Sequence, residues 1–195
     1  MPSNVAGYLT PDSSPLLLED DAFEDFMHDV FTGLTGLAND LVRPSWQPDP
    51  PNSPDRDTSW LAFAIHRFQA DTYAAIIHDP SGDGSSELQR QETVETLLSA
   101  YGPQAGSILA LIRDGLQLDQ NRAALAAQGI GVTETGERIV IPAIAKNKWR
   151  RRVDMPLLVR RQINRVYEVL SLLSAQGTVH AEVIDVPILV TQTEP

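Results

Sequence analysis

The residues able to do chemistry in this chain are carboxylates, arginines and four histidines; cysteine is absent. Asp79, Ser81, Asp83 and Gly84 resemble the first half of a calcium loop, in which alternate oxygen-bearing side chains converge on one cation. Such a loop closes with a bidentate carboxylate at its twelfth position, and here that position is Arg90. A polar turn at a hairpin tip accounts better for the segment. His28, His66, His78 and His180 are scattered, without the pair spacings of a zinc site, and no thiolate supplements them. No Gly-x-Ser-x-Gly elbow, phosphate-cradling loop or dinucleotide fingerprint occurs. Carboxylate pairs are so common in an acidic chain that none marks an acid–base couple. The expectation is a protein without catalytic residues, cofactor or metal.

Arginine is the residue type that clusters. Eight of the fifteen basic residues fall in one window: Lys146, Lys148, Arg150, Arg151, Arg152, Arg160, Arg161 and Arg165. Read as a strand, the window has period two. Trp149, Val153, Met155, Leu157, Val159 and Ile163 share one side, and most of the charge points to the other. Three uses remain open. The arginines form a nucleic-acid track, although only Trp149 and Tyr167 flank them as stacking rings. They form a protein–protein rim, where the planar guanidinium fork pairs with carboxylates. Or they keep a strand edge solvated and unaggregated. The opposite charge concentrates in Asp20, Asp21, Glu24 and Asp25. These acids are either a binding surface or a solvated helix end that the helix dipole favours.

The elements that must position these groups follow from periodicity. Apolar residues three and four apart, from Phe23 to Leu41, predict a helix over about 19–42, weakened by Gly33 and Gly36. Five prolines between 43 and 57 predict a loop, packed by Trp46. Strands are expected at 59–68 and 72–78, with a turn at 79–86. Residues 87–101 suit either helix or strand; the preceding hairpin signals favour strand. Helices follow over 103–117 and 119–128, the second ending at Gly129. One or two short strands lie in 130–141. The basic strand runs over 148–167 and continues towards Leu173. A turn at Gln176-Gly177 leads to a last strand over 178–190. Segregated helices and strands define an α+β fold, a mostly antiparallel sheet with helices packed on it and a long β-hairpin.

At 195 residues the chain is long enough for one domain that buries roughly 70% of its unfolded surface. The expected organisation is an extended arm over 1–18, one domain over 19–190 and a tail over 191–195. The net charge of −11 is uneven. Residues 1–100 hold four Lys/Arg against seventeen Asp/Glu, and residues 101–195 hold eleven against nine. This asymmetry serves solubility, or it makes the surface self-complementary, so that copies meet head to tail and close into a ring. An acidic chain is a poor non-specific nucleic-acid binder. No run reaches the ~18 apolar residues of a membrane span, and the first residues do not resemble a signal peptide.

The segment Arg160-Arg161-Gln162-Ile163-Asn164-Arg165-Val166-Tyr167, followed by Leu170-Ser171-Leu172-Leu173-Ser174-Ala175-Gln176-Gly177-Thr178, resembles neck or tail terminator proteins of contractile-tailed bacteriophages. Further pieces agree in order: Gly7-Tyr8-Leu9-Thr10-Pro11, Leu41-Val42-Arg43-Pro44-Ser45-Trp46-Gln47-Pro48, His78-Asp79-Pro80, Tyr101-Gly102-Pro103 and Arg113-Asp114-Gly115-Leu116-Gln117. The resemblance covers nearly the whole chain. It implies a non-enzymatic virion protein assembled in the host cytoplasm. Such a protein forms a six-fold ring that caps the tail tube and joins it to head-completion (connector) proteins, with the sheath as a further neighbour. DNA passes through without specific binding, and no membrane is involved. The surface that would make these contacts is expected in Arg150, Arg151, Arg152, Arg160, Arg161 and Arg165, with Asp20, Asp21, Glu24 and Asp25 opposite. The alternative is a nucleic-acid-binding or other protein-interaction module using the same basic strand.

Overall fold

A computed structural model describes residues 8–14, 18–47, 49, 51–145, 147–170, 174–180 and 185–191. Helix α1, Asp20–Thr35, forms on the expected three-and-four spacing and buries Phe23, Met27 and Phe31. It ends at Gly36, whose φ of +67° lets its N–H donate to the Thr32 carbonyl at 2.9 Å. The helix therefore stops well before residue 42. A 3-10 turn, Asn39–Leu41, leads into strand β1, Val42–Pro44. Part of the proline-rich loop is thus a strand. Pro44 is tolerated because, among the described residues, β1 is at the sheet edge and pairs only with β2. Trp46 does not pack the loop; it is 75% exposed.

Strands β2, Trp60–Ala70, β3, Ala75–Asp79, and β4, Ser85–Tyr101, are one antiparallel system. β2 pairs with the second part of β4, from Trp60 opposite Tyr101 to Ala70 opposite Glu92, with an irregularity between Ile65 and Arg67. β3 pairs with the first part, Ala75 opposite Gln89 to Asp79 opposite Ser85. Residues 87–101 are strand, and Val94, Thr96, Leu98 and Ala100 are buried at period two. Gly102 turns the chain with φ +95°; a Cβ there would lie 2.6 Å from the Thr58 carbonyl oxygen.

Helices α2, Ala105–Gly115, and α3, Asp119–Ala126, precede strands β5, Ile130–Thr135, β6, Ile139–Ala145, and β7, Lys148–Tyr167. Sheet order is β1-β2-β4-β7-β5, with β3 beside β4 and β6 beside β7. The β1–β2 pair is parallel; β2–β4, β3–β4, β5–β7 and β6–β7 are antiparallel. Among the described residues the fold is α+β, a mixed, mostly antiparallel seven-stranded sheet with three α-helices. One core joins α1 and α2 to the sheet through Leu61, Phe63, Leu98, Met155 and Leu157. Phe31 meets Phe63 edge-on, ring centroids 5.3 Å apart.

Strands β8, Ser174–His180, and β9, Asp185–Thr191, form a separate two-stranded sheet, Ser174 opposite Thr191 to His180 opposite Asp185. Gln176-Gly177 is therefore inside a strand and not a turn, because glycine permits a turn without requiring one. The expected continuation of β7 is absent through Leu170, since the strand ends at Tyr167; residues 171–173 lie outside the described residues.

The chain divides into two compact units. Residues 15–74 and 90–164 hold all three helices, β1, β2, β5, β6, most of β4 and β7, and the core. Residues 1–14, 75–89 and 165–195 hold β3 with the start of β4, and the β8–β9 sheet. In this second unit the Asp12 N–H donates to the Val166 carbonyl and the Val166 N–H to the Ser13 carbonyl, at 2.8 and 2.9 Å.

Candidate interaction surface

β7 carries arginines on both of its faces. Val153, Met155, Leu157, Val159 and Ile163 are buried, as their period-two spacing requires. Trp149 has the same parity but lies 66% exposed. Arg151, Arg161 and Arg165 also have this parity, and of the three Arg161 is buried, so one of the clustered charges points into the apolar layer and not away from it. The Arg161 guanidinium lies 4.8 Å from the Phe23 ring centroid and 5.2 Å from that of Phe68. Its Nε donates to Glu92 Oε2 at 2.7 Å, and it also donates to the Leu18 carbonyl. Neither charge of this pair is more than 11% exposed. Such a pair persists only because each partner satisfies the other.

The even-numbered side holds Arg150 and Arg152. Arg150 is buried and donates to the Pro54 carbonyl of the proline-rich loop. Arg152 donates from Nε and Nη2 to the two Asp154 oxygens, each at 2.7 Å, and reaches Ser99 Oγ at 3.3 Å. The bond to Asp154 raises the Arg152 pKa further, against the opposing effect of burial. Arg152 also ends a four-layer stack. Trp60 and Tyr101 lie parallel with centroids 4.4 Å apart, and Arg43 and Arg152 each approach a ring at 5.6 Å. These four residues come from β1, β2, β4 and β7, neighbours in the sheet but remote in sequence. No local spacing announces the stack, and the sequence reading missed it.

Arg151 and Arg160 remain exposed. Arg160 meets Asp71 at 3.0 Å with both side chains about half exposed, a contact worth little. Arg151 approaches the Pro103 carbonyl at 3.5 Å. Arg165 is half-buried. On α1, Asp20, Asp21 and Asp25 are exposed. Glu24 is half-buried; its carboxyl is pushed up by burial first, then by Asp21 and Asp25.

The core unit has both polar and apolar concave surface; a cavity of about 630 Å³ is lined by Arg113, Glu134, Glu137 and Arg138. A groove of about 590 Å³ between α1, α2 and α3 is lined by Phe26, Val30, Leu34, Leu111, Leu118 and Leu125. It suits an apolar side chain, not a reacting polar group. Among the described residues no three His, Asp or Glu side chains gather as a metal site. Asp79 is committed to its turn, accepting from the Ser81 N–H at 3.0 Å and Oγ at 2.6 Å, which holds its carboxyl below the usual range.

The domain is α+β, and its arginines either hold its own chain together or lie on open faces. A family model described as phage neck terminator protein matches residues 21–191. The chain belongs to this bacteriophage neck/tail terminator family. It is therefore a structural protein of the phage neck, from a family whose role implies contact with other tail and head proteins. No curated protein matches the chain. No described helix is long and apolar enough to cross a membrane.

Proposed function

We propose that copies of this chain form a six-fold ring that caps the finished tail tube of a contractile-tailed phage and joins it to head-completion proteins, with the sheath alongside. The match to neck terminators across residues 21–191 carries this reading. The division of charge supports it: a head-to-tail ring needs two different, complementary patches on each copy. Arg151 and Arg160, joined by Arg165, supply cationic groups, and the acidic start of α1 supplies anionic ones. The net charge of −11 lets DNA pass through a lumen without being captured. The protein acts without catalysis or cofactor, in the virion, after assembly in the host cytoplasm.

Native mass spectrometry of the chain, alone and with purified tail tubes, tests this. A closed ring, free or on the tube end, is the expected result. A monomer that binds neither tubes nor head-completion protein would overturn it.

A further inference from the structure

Two exposed apolar strands of this chain, β6 and β3, adjoin residues of opposite charge. β6 pairs only with β7 among the described residues, which leaves its outer edge unpaired. Ile144 stands opposite Trp149, Pro142 opposite Arg151 and Val140 opposite Val153. Val153 is buried, whereas Val140, Ile144 and Trp149 are each more than 60% exposed. The apolar face of the sheet thus continues past its helix cover as an open corner. Between Glu137 and Asp154 the chain has six Lys/Arg and no acid; Arg150 and Arg152 are engaged by Pro54 and Asp154, and Lys148 and Arg151 stay exposed. Ala145 pairs with Lys148, and Asn147 before it has φ +59°.

The β3–β4 hairpin has the converse make-up. Every residue of β3 is exposed, with Ile76 at 68% and Ile77 at 54%. From residue 72 to 89 there are three acids, Asp79, Asp83 and Glu87, and no Lys or Arg. The Ser81 bonds keep Asp79 ionised.

We infer that the β6–β7 corner receives the β3–β4 hairpin of a second copy of this chain, Trp149 and Ile144 packing on one face of β3, through Ile76 or through Ile77, between basic and acidic flanks. This deepens the ring reading and rests on it for the choice of occupant. Charge decides the geometry. Two corners repel each other, as do two hairpins, so like-with-like pairing is disfavoured and only corner-to-hairpin contact is complementary. That contact is head to tail and propagates around a ring. An exposed tryptophan beside an unpaired strand edge is the type of anchor that dominates such contacts.

The absence of cysteine makes the test direct. Four full-length double variants pair Ile76→Cys or Ile77→Cys with Val140→Cys or Ile144→Cys and are oxidised mildly. Covalent multimers that reductant dissolves are expected from at least one; Ile76→Cys with Ala123→Cys, on exposed α3, should give none. In parallel, Trp149→Ala should keep the wild-type melting temperature and weaken self-association at least about tenfold, alone or on tubes. A wild-type ring with no cross-linking in any pair and unchanged assembly of Trp149→Ala would overturn the inference and leave the ring reading standing. Wild-type chains that remain monomeric with and without tubes would overturn both.

Discussion

Arg161 belongs to the basic cluster by sequence and to the core by structure. Its parity with Val159 and Ile163 was the available signal, since a strand residue two positions from a buried one points the same way. What the sequence does not show is Glu92, sixty-nine positions earlier, which makes the inward charge tolerable. Arg150 repeats the lesson, since its partner Pro54 comes from a loop ninety-six positions earlier; Arg152 combines a local partner, Asp154, with a remote one, Ser99. Residue type was therefore legible and residue role was not, because role depends on long-range pairing. Arg161→Ala or Glu92→Ala alone leaves a buried charge unpaired and should cost about 3–5 kcal/mol. Arg161→Leu together with Glu92→Leu removes both charges and should cost much less than the two single changes combined. Urea unfolding of the three variants decides it. Equal, small losses for the single variants would mean that the pair is hydrated and contributes little.

At the scale of elements, long and strongly periodic segments were readable. β7 spans Lys148–Tyr167 as its alternation predicts, and α1 follows its apolar spacing until Gly36 caps it. Short elements were not: β1 has three residues and exists because β2 offers a parallel edge, which no local pattern encodes. Residues 87–101 carried both periods, and pairing with β2 and β3 decided for strand. The acidic start of α1 carries a prediction of its own. Burial and the neighbouring Asp21 and Asp25 raise the Glu24 pKa above its ordinary 4.5 in the folded protein. Folding then disfavours the charged form. The penalty is fully present above the raised value and disappears as pH falls through it to the unfolded value. Glu24→Gln should therefore raise the melting temperature near neutral pH and lose that advantage in acid below 4.5. Like-charge neighbours on a helix cost roughly 0.2–0.5 kcal/mol, and salt should shrink the effect. A benefit that persists unchanged in acid would assign it to helix propensity and not to charge.

For the whole molecule the decisive quantity is how charge is divided between assembly and folding. Arg150, Arg152 and Arg161 are held by their own chain, and such short, enclosed contacts are only weakly screened. Arg151, Arg160 and the carboxylates of Asp20, Asp21 and Asp25 lie in water, where the screening length is about 8 Å at physiological ionic strength and about 3 Å at 1 M. The two sets must respond differently to salt. Raising sodium chloride from about 0.05 to about 1 M should weaken self-association while leaving the urea midpoint of the folded chain nearly constant. In the proposed contact, apolar packing through Trp149 and Ile144 would set a floor. It does not weaken with salt, so association should fall to a plateau and not vanish. Trp149→Ala should lower that plateau, and Arg151→Glu should flatten the steep low-salt part of the curve. Sedimentation equilibrium across the salt series reads both. Association independent of salt would remove the charge argument for the ring contact, and association abolished by salt in the wild-type chain would remove the apolar one.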